Sequence, residues 1–126
     1  MTISEYLTMI KENLLSDTLI HSFLIIKERS NMTDGHIRAK TTLSNGDLLE
    51  FSEYFQLSHS KKIDIITYSY HWTDKDHNLI TRWDNAPHFP DLTNYPHHIH
   101  AGTENKVSPS TSIDFFKVIK IIAKKI

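Results

Sequence analysis

The chain carries nine histidines in 126 residues, and His71, His77, His88, His97, His98 and His100 fall within thirty positions of one another. Histidine is the side chain whose unperturbed pKa lies near neutrality, so such clustering concentrates the capacity to move protons or to hold a metal. Three pieces carry the density: Tyr68-Ser69-Tyr70-His71-Trp72, Arg82-Trp83-Asp84-Asn85-Ala86-Pro87-His88, and Pro96-His97-His98-Ile99-His100. Two chemistries suit them. One is metal-independent cleavage of RNA, which needs a base for the 2′-hydroxyl proton, an acid for the leaving 5′-oxygen and a cation on the phosphorane; two imidazoles and an arginine suffice. The other is a metal site: His98 and His100, two apart on an extended segment, project the same way, and His88 or Asp84 could complete a three-ligand set with an open position.

Each of these residues also has an ordinary use. His71 within an apolar strand fits a half-buried histidine, Arg82 and Asp84 share strand parity and fit a plain ion pair, and Trp72 and Trp83 fit the core. His97-His98-x-His100 is the exception, because three imidazoles beside a proline contribute little to packing.

The elements that must position these groups are readable. Thr2 and Glu5 form a capping-box pattern, and Ile3, Tyr6, Leu7, Ile10 and Leu14 keep helical spacing, so residues 3–14 are expected to be helical. Leu19–Lys27 is dense in Leu, Ile and Phe and reads as a strand covered on both sides. Ile37, Ala39, Thr41 and Leu43 alternate with polar residues up to Asn45-Gly46, a strong hairpin signal, and Leu48–Phe55 returns. A two-residue turn pairs Ser44 with Asp47. It puts Lys40 opposite Phe51 and Arg38 opposite Glu53, which predicts an Arg38–Glu53 ion pair on a shared face. Ile63–Trp72 and Leu79–Asp84 continue the meander across the polar turn Thr73-Asp74-Lys75-Asp76-His77-Asn78. From Asn85 to Pro109 no periodicity holds and all four prolines occur, so a loop of about 25 residues is expected. Ser108, Ser110, Thr111 or Ser112 is expected to cap a last helix whose apolar stripe runs from Ile113 to Ile126. The expected fold is α+β: an antiparallel meander of about five strands between an N-terminal and a C-terminal helix, with a long Pro/His-rich loop, as a single domain over residues 1–126.

Composition narrows the class. The formal net charge is −1, from 14 basic and 15 acidic side chains, so any grip on nucleic acid has to come from a local patch. There is no cysteine, which rules out disulfides and thiolate metal sites and permits a reducing cytoplasm. No basic segment followed by an apolar run opens the chain, and no stretch reaches the ~18 apolar residues that span a bilayer, so no membrane role is expected.

The three dense pieces, together with Ile37-Arg38, Asn45-Gly46 and Leu49–Tyr54 with Glu53, resemble the TumE family of toxins from prokaryotic type II toxin–antitoxin modules. Order and spacing agree from about Gly35 to His100. Phe89 stands where that family commonly has a histidine, Ile99 where it has a basic residue, and Asn78 where the resemblance implies a glycine, an exchange that suits a left-handed backbone there because asparagine accepts it. The resemblance implies a cytoplasmic toxin neutralised by a cognate antitoxin, often one with a helix-turn-helix domain; self-association is left open. An endoribonuclease activity follows from the chemistry above and from analogy with other small toxins. On this reading Arg38, Glu53, Tyr70, His71, Arg82, Asp84, His88, His97, His98 and His100 are the candidate site. His98 and His100 are acid and base, Arg82 or Arg38 clamps phosphate, Glu53 and Asp84 orient their partners, and Tyr70 or Trp72 stacks a base. No cofactor or metal is called for. The alternatives are a non-catalytic module whose His-rich loop binds an antitoxin, and a metal-dependent hydrolase.

Overall fold

The computed structural model describes all 126 residues. Helix α1 (Ile3–Ser16) starts as its sequence anticipates. The Thr2 hydroxyl accepts the Glu5 N–H at 3.0 Å, and the Thr2 N–H donates to the Glu5 carboxylate at 2.9 Å. Strands β1 (Ile20–Ser30), β2 (Asp34–Leu43), β3 (Leu48–Leu57), β4 (Ile63–Thr73), β5 (Leu79–Asp84), β6 (His98–Ala101) and β7 (Val107–Pro109) follow, and α2 (Phe115–Lys125) closes the chain. All seven strands form one antiparallel sheet in sequence order, so the fold is the expected α+β meander with a helix at each end.

Both helices pack on one face of the sheet, the helix face. Tyr6 of α1 meets Phe55 edge-on at 4.8 Å between centroids, and Phe115 of α2 lies over Phe51 at 4.7 Å. Ile37, Ala39, Leu49, Phe51, Phe55, Tyr70, Trp72 and Trp83 supply the sheet side of that core. Burying these large side chains is what holds the helices down, at roughly 25 cal/mol per Å² of apolar surface. The opposite, open face carries no helix.

Several expectations need correction. The sheet has seven strands, because the presumed loop from Asn85 to Pro109 contains β6 and β7 and only residues 85–97 form a long connection. β1 is an edge strand, not one covered on both sides; Leu24 and Ile26 are exposed. Asp114, not a hydroxyl residue, caps α2 by accepting the Lys117 N–H at 2.8 Å. His77, not Asn78, takes positive φ in the β4–β5 turn.

The largest correction is in the β2–β3 register. Lys40 faces Glu50, Arg38 faces Ser52 and Ile37 faces Glu53, so no Arg38–Glu53 pair exists. The cause is the turn. The Gly46 N–H donates to the Leu43 carbonyl at 3.0 Å, and Gly46 alone has positive φ while Asn45 does not. This is a three-residue loop ending in a left-handed glycine, not a two-residue primed turn. The register therefore moves by one residue, which turns Glu53 to the helix face and leaves Arg38 on the open one.

Candidate functional site

The open face presents two polar rows running straight across the sheet. One is Lys40, Glu50, His71, Arg82 and His100; the other is Arg38, Ser52, Ser69, Asp84 and His98, each residue directly opposite the next. Strand alternation explains the arrangement: positions 82, 84, 98 and 100 share parity, and pairing Arg82 with His100 and Asp84 with His98 brings them together. The sequence-predicted Arg82, Asp84, His98 and His100 thus converge, with His71 next in the row and Arg38 further out.

At the β5–β6 end Asp84 is the hub. It lies 3.0 Å from Arg82 Nε, 2.8 Å from His98 Nε2 and 3.6 Å from His100 Nε2. Arg82 is held from three sides, donating also to Glu104 at 3.0 Å and to His100 Nε2 at 3.1 Å. Both imidazoles turn Nδ1 to a backbone carbonyl, Pro96 for His98 and Glu104 for His100, each at 2.9 Å. A carbonyl only accepts, so each ring carries its proton on Nδ1 and offers Nε2 toward the cluster.

This cluster is closed. His98 is 1% exposed and His100 3%, and the Phe89 ring stands edge-on to them at 5.0 and 6.0 Å. Phe89 belongs to the connection between β5 and β6, which crosses over the pair. As placed, neither imidazole reaches a substrate from solvent, so their proposed roles as acid and base are not served by this arrangement.

Further along the rows the face is open. His71 and Glu50 line both a groove of about 550 Å³ toward Lys40 and β1, and a smaller hollow of about 120 Å³ beside Arg38, Ser52 and Ser69. Arg38 and Glu50 form an ion pair at 2.6 Å across this surface. Partial burial depresses the His71 pKa below its ordinary value, and the facing Arg82 charge adds to this against opposing pulls from Glu104 and Glu50. His71 is therefore held neutral at pH 7, with a free lone pair.

The remaining candidates lie apart from this face. Tyr70 and Trp72 are shut into the helix-side core, and neither offers a ring face on which a base could stack. Glu53 is buried there too, accepting from the Tyr6 hydroxyl at 2.7 Å, the Tyr70 hydroxyl at 2.5 Å and the Phe115 N–H at 2.8 Å. It orients no arginine or histidine. His97 stacks on Tyr68, whose hydroxyl meets its Nδ1 at 2.8 Å, and His88 is exposed on the connection. Glu50, Lys40 and Glu104 were missed by sequence reasoning. The parity of Lys40 and Glu50 with Arg38 on one polar face was the available signal, and the misassigned turn register concealed it.

The family model described as Toxin TumE matches residues 10–126. The chain belongs to the TumE toxin family. No curated protein and no solved structure matches it. TumE membership carries a toxin role in a toxin–antitoxin system, and with it an antitoxin partner. No helix is long and apolar enough to cross a membrane.

Proposed function

We propose that this TumE toxin is an endoribonuclease that cleaves RNA on the open face of its sheet, with His71 as general base. The observation that carries the reading is the row Glu50–His71–Arg82 at the junction of the two grooves, where a neutral imidazole faces solvent between an acid and a guanidinium. His71 takes the proton of an RNA 2′-hydroxyl, and the 2′-oxygen bonds to phosphorus. The bond to the 5′-oxygen breaks, that oxygen takes a proton from a water molecule, and the hydroxide so formed takes back the proton held on His71, leaving a 2′,3′-cyclic phosphate. Arg38 and Lys40 are exposed and supply the local positive charge that the whole chain lacks. Arg82 clamps phosphate by exchanging its Glu104 partner, whose side chain is half exposed.

On this reading Asp84, His98 and His100 are positioning residues that aim Arg82, and no metal takes part in the chemical step. A cognate antitoxin with a helix-turn-helix domain is the neutralising partner. The cytoplasm is where such a substrate is met, and a cysteine-free chain suits that compartment.

The test is cleavage of RNA by the purified protein in chelator, with cyclic phosphate ends as product. Replacing His71 by Ala should lower the rate by roughly 10²–10⁴-fold. The closure over His98 and His100 favours one other reading, a non-catalytic module that arrests growth by binding. Growth arrest without RNA cleavage, undiminished by His71→Ala, would establish that reading and end the nuclease one.

A further inference from the structure

His98 Nε2 is buried and makes no hydrogen bond, although it lies 2.8 Å from Asp84 Oδ1. The carboxylate oxygen is off the line along which a proton on Nε2 would point. With Nδ1–H committed to the Pro96 carbonyl, a ring that holds a single proton sets a lone pair beside a carboxylate, two acceptors with nothing positive between them. An orphaned acceptor in so buried a place is costly unless a partner fills the gap.

We propose that Asp84, His98 and His100 bind one divalent first-row transition ion, through a carboxylate oxygen and the two Nε2 atoms beneath Phe89. One donor atom from each residue lies within 4.8 Å of the others. Ligands on a tetrahedral ion with bonds of 2.0–2.2 Å stand roughly 3.3 Å apart, and each points at the ion instead of at its neighbour. His98 Nε2 stands 2.8 Å from Asp84 Oδ1 and His100 Nε2 3.6 Å from Asp84 Oδ2, so each imidazole has a carboxylate oxygen near that distance, and the off-line His98 geometry is the one expected of ligands sharing a centre.

The outer contacts agree. Both rings are fixed by Nδ1–H to a backbone carbonyl, an arrangement that holds the tautomer of ligating histidines and raises their basicity. Two imidazoles and a carboxylate suit zinc and its first-row neighbours more than magnesium or calcium, which prefer oxygen. An entering ion displaces a single hydrogen bond, from Arg82 Nη2 to His100 Nε2; Arg82 keeps Asp84 and Glu104. Those two acids carry one negative charge more than Arg82 neutralises, so the cluster has room for positive charge. Three protein ligands leave a coordination position open, under the connection that carries Phe89. A bound ion would tie that connection to the β5–β6 edge.

The ion is tested without reference to RNA cleavage. Untagged full-length protein is stripped with chelator and titrated with Zn²⁺ alone by calorimetry, and with Co²⁺ alone by visible absorption. The expected result is one ion per chain. Asp84→Asn and His98→Gln should each weaken binding by more than the roughly 10–100-fold that loss of an outer-sphere partner costs. His71→Gln should bind the ion as the wild type does while losing the nuclease activity proposed above, which separates the two readings. Imidazole ¹⁵N spectra of the wild type decide the matter even if a ligand variant fails to fold. Saturating Zn²⁺ should move the Nε2 resonances of His98 and His100 and leave their Nδ1 resonances protonated. Unmoved Nε2 resonances, or one-to-one binding unchanged in both folded ligand variants, would overturn the site.

Discussion

Two carboxyl groups are buried in this sheet, one on each face, and their neighbours give them opposite uses. Glu53, on the helix face, receives two tyrosine hydroxyls and the first N–H of α2, joining β3 to α1, β4 and α2 at once. Asp84, on the open face, is met by a guanidinium and two imidazoles. Both are nearly inaccessible, at 0% and 5% exposure. Burial alone therefore says little about function. What separates them is that Glu53 has only fixed hydrogen-bond donors, whereas Asp84, besides the Ala86 N–H, has partners that can change charge, ligand or partner. Glu53 is spent on architecture, whereas Asp84 holds a cluster with one imidazole nitrogen still unsatisfied.

The largest effect that would sharpen this contrast is on stability. Glu53→Ala leaves three buried donors without an acceptor, at roughly 1–3 kcal/mol each, so a loss of at least about 3 kcal/mol is expected in chemical unfolding. A loss below about 1 kcal/mol would show that water replaces the carboxylate and that Glu53 is no staple. The acid also has a pH signature. Burial raises its pKa above the ordinary 4.5, outweighing its hydrogen bonds to Tyr6, Tyr70 and the Phe115 N–H. The unfolded chain then loses this proton at lower pH than the folded one. Wild-type stability should therefore fall as pH rises from the ordinary value through the folded pKa, and Glu53→Gln should remove that slope.

Next comes the activity of the open face. His71→Ala should cost RNA cleavage roughly 10²–10⁴-fold while moving the unfolding midpoint little, the reverse of Glu53→Ala. Because burial and Arg82 depress the His71 pKa, the base stays neutral below its ordinary 6.5. The acid limb of the rate profile should accordingly lie below pH 6.5. A limb above that value would assign the base elsewhere.

Local signals were legible and long-range ones less so. The capping box of α1 was readable because all its atoms lie within four residues. The convergence of Arg82, Asp84, His98 and His100 was readable in outline, since equal parity on neighbouring strands is enough to put them on one face. β6 was hidden because a four-residue strand beside Pro96 and inward imidazoles has no apolar alternation to betray it. Closure of the site was hidden because nothing local to Phe89 tells whether its ring covers the histidines or leaves them open. Asn45-Gly46 located the hairpin and still misled. The same dipeptide serves a two-residue turn and a three-residue loop, and packing selects between them. With Glu53 turned inward it meets Tyr6, 47 residues before it, and Tyr70 and Phe115, 17 and 62 residues after it, contacts that no local pattern reveals.

A smaller effect checks how closely the helix face is packed. A Cβ on Gly35 would stand 2.5 Å from Phe55 Cε2 and 2.9 Å from Ile3 Cγ2. Gly35→Ala should destabilise by about 1–3 kcal/mol, because Phe55 is a fully buried ring with no room to retreat.

The smallest effect tests the register itself. Arg38 and Glu50 are substantially exposed, at 52% and 35% of their side chains, so water and salt screen their attraction. A double-mutant cycle with Arg38→Ala and Glu50→Gln should give a coupling of about 0.2–1 kcal/mol that shrinks with added salt. The same cycle run with Arg38→Ala and Glu53→Gln should give none, because these side chains lie on opposite faces of the sheet. Both numbers are small, but their difference is diagnostic. Coupling of Arg38 to Glu53 and not to Glu50 would mean that the strands pair one residue away, which would carry Glu53 out of the core and onto the face where the chemistry is proposed.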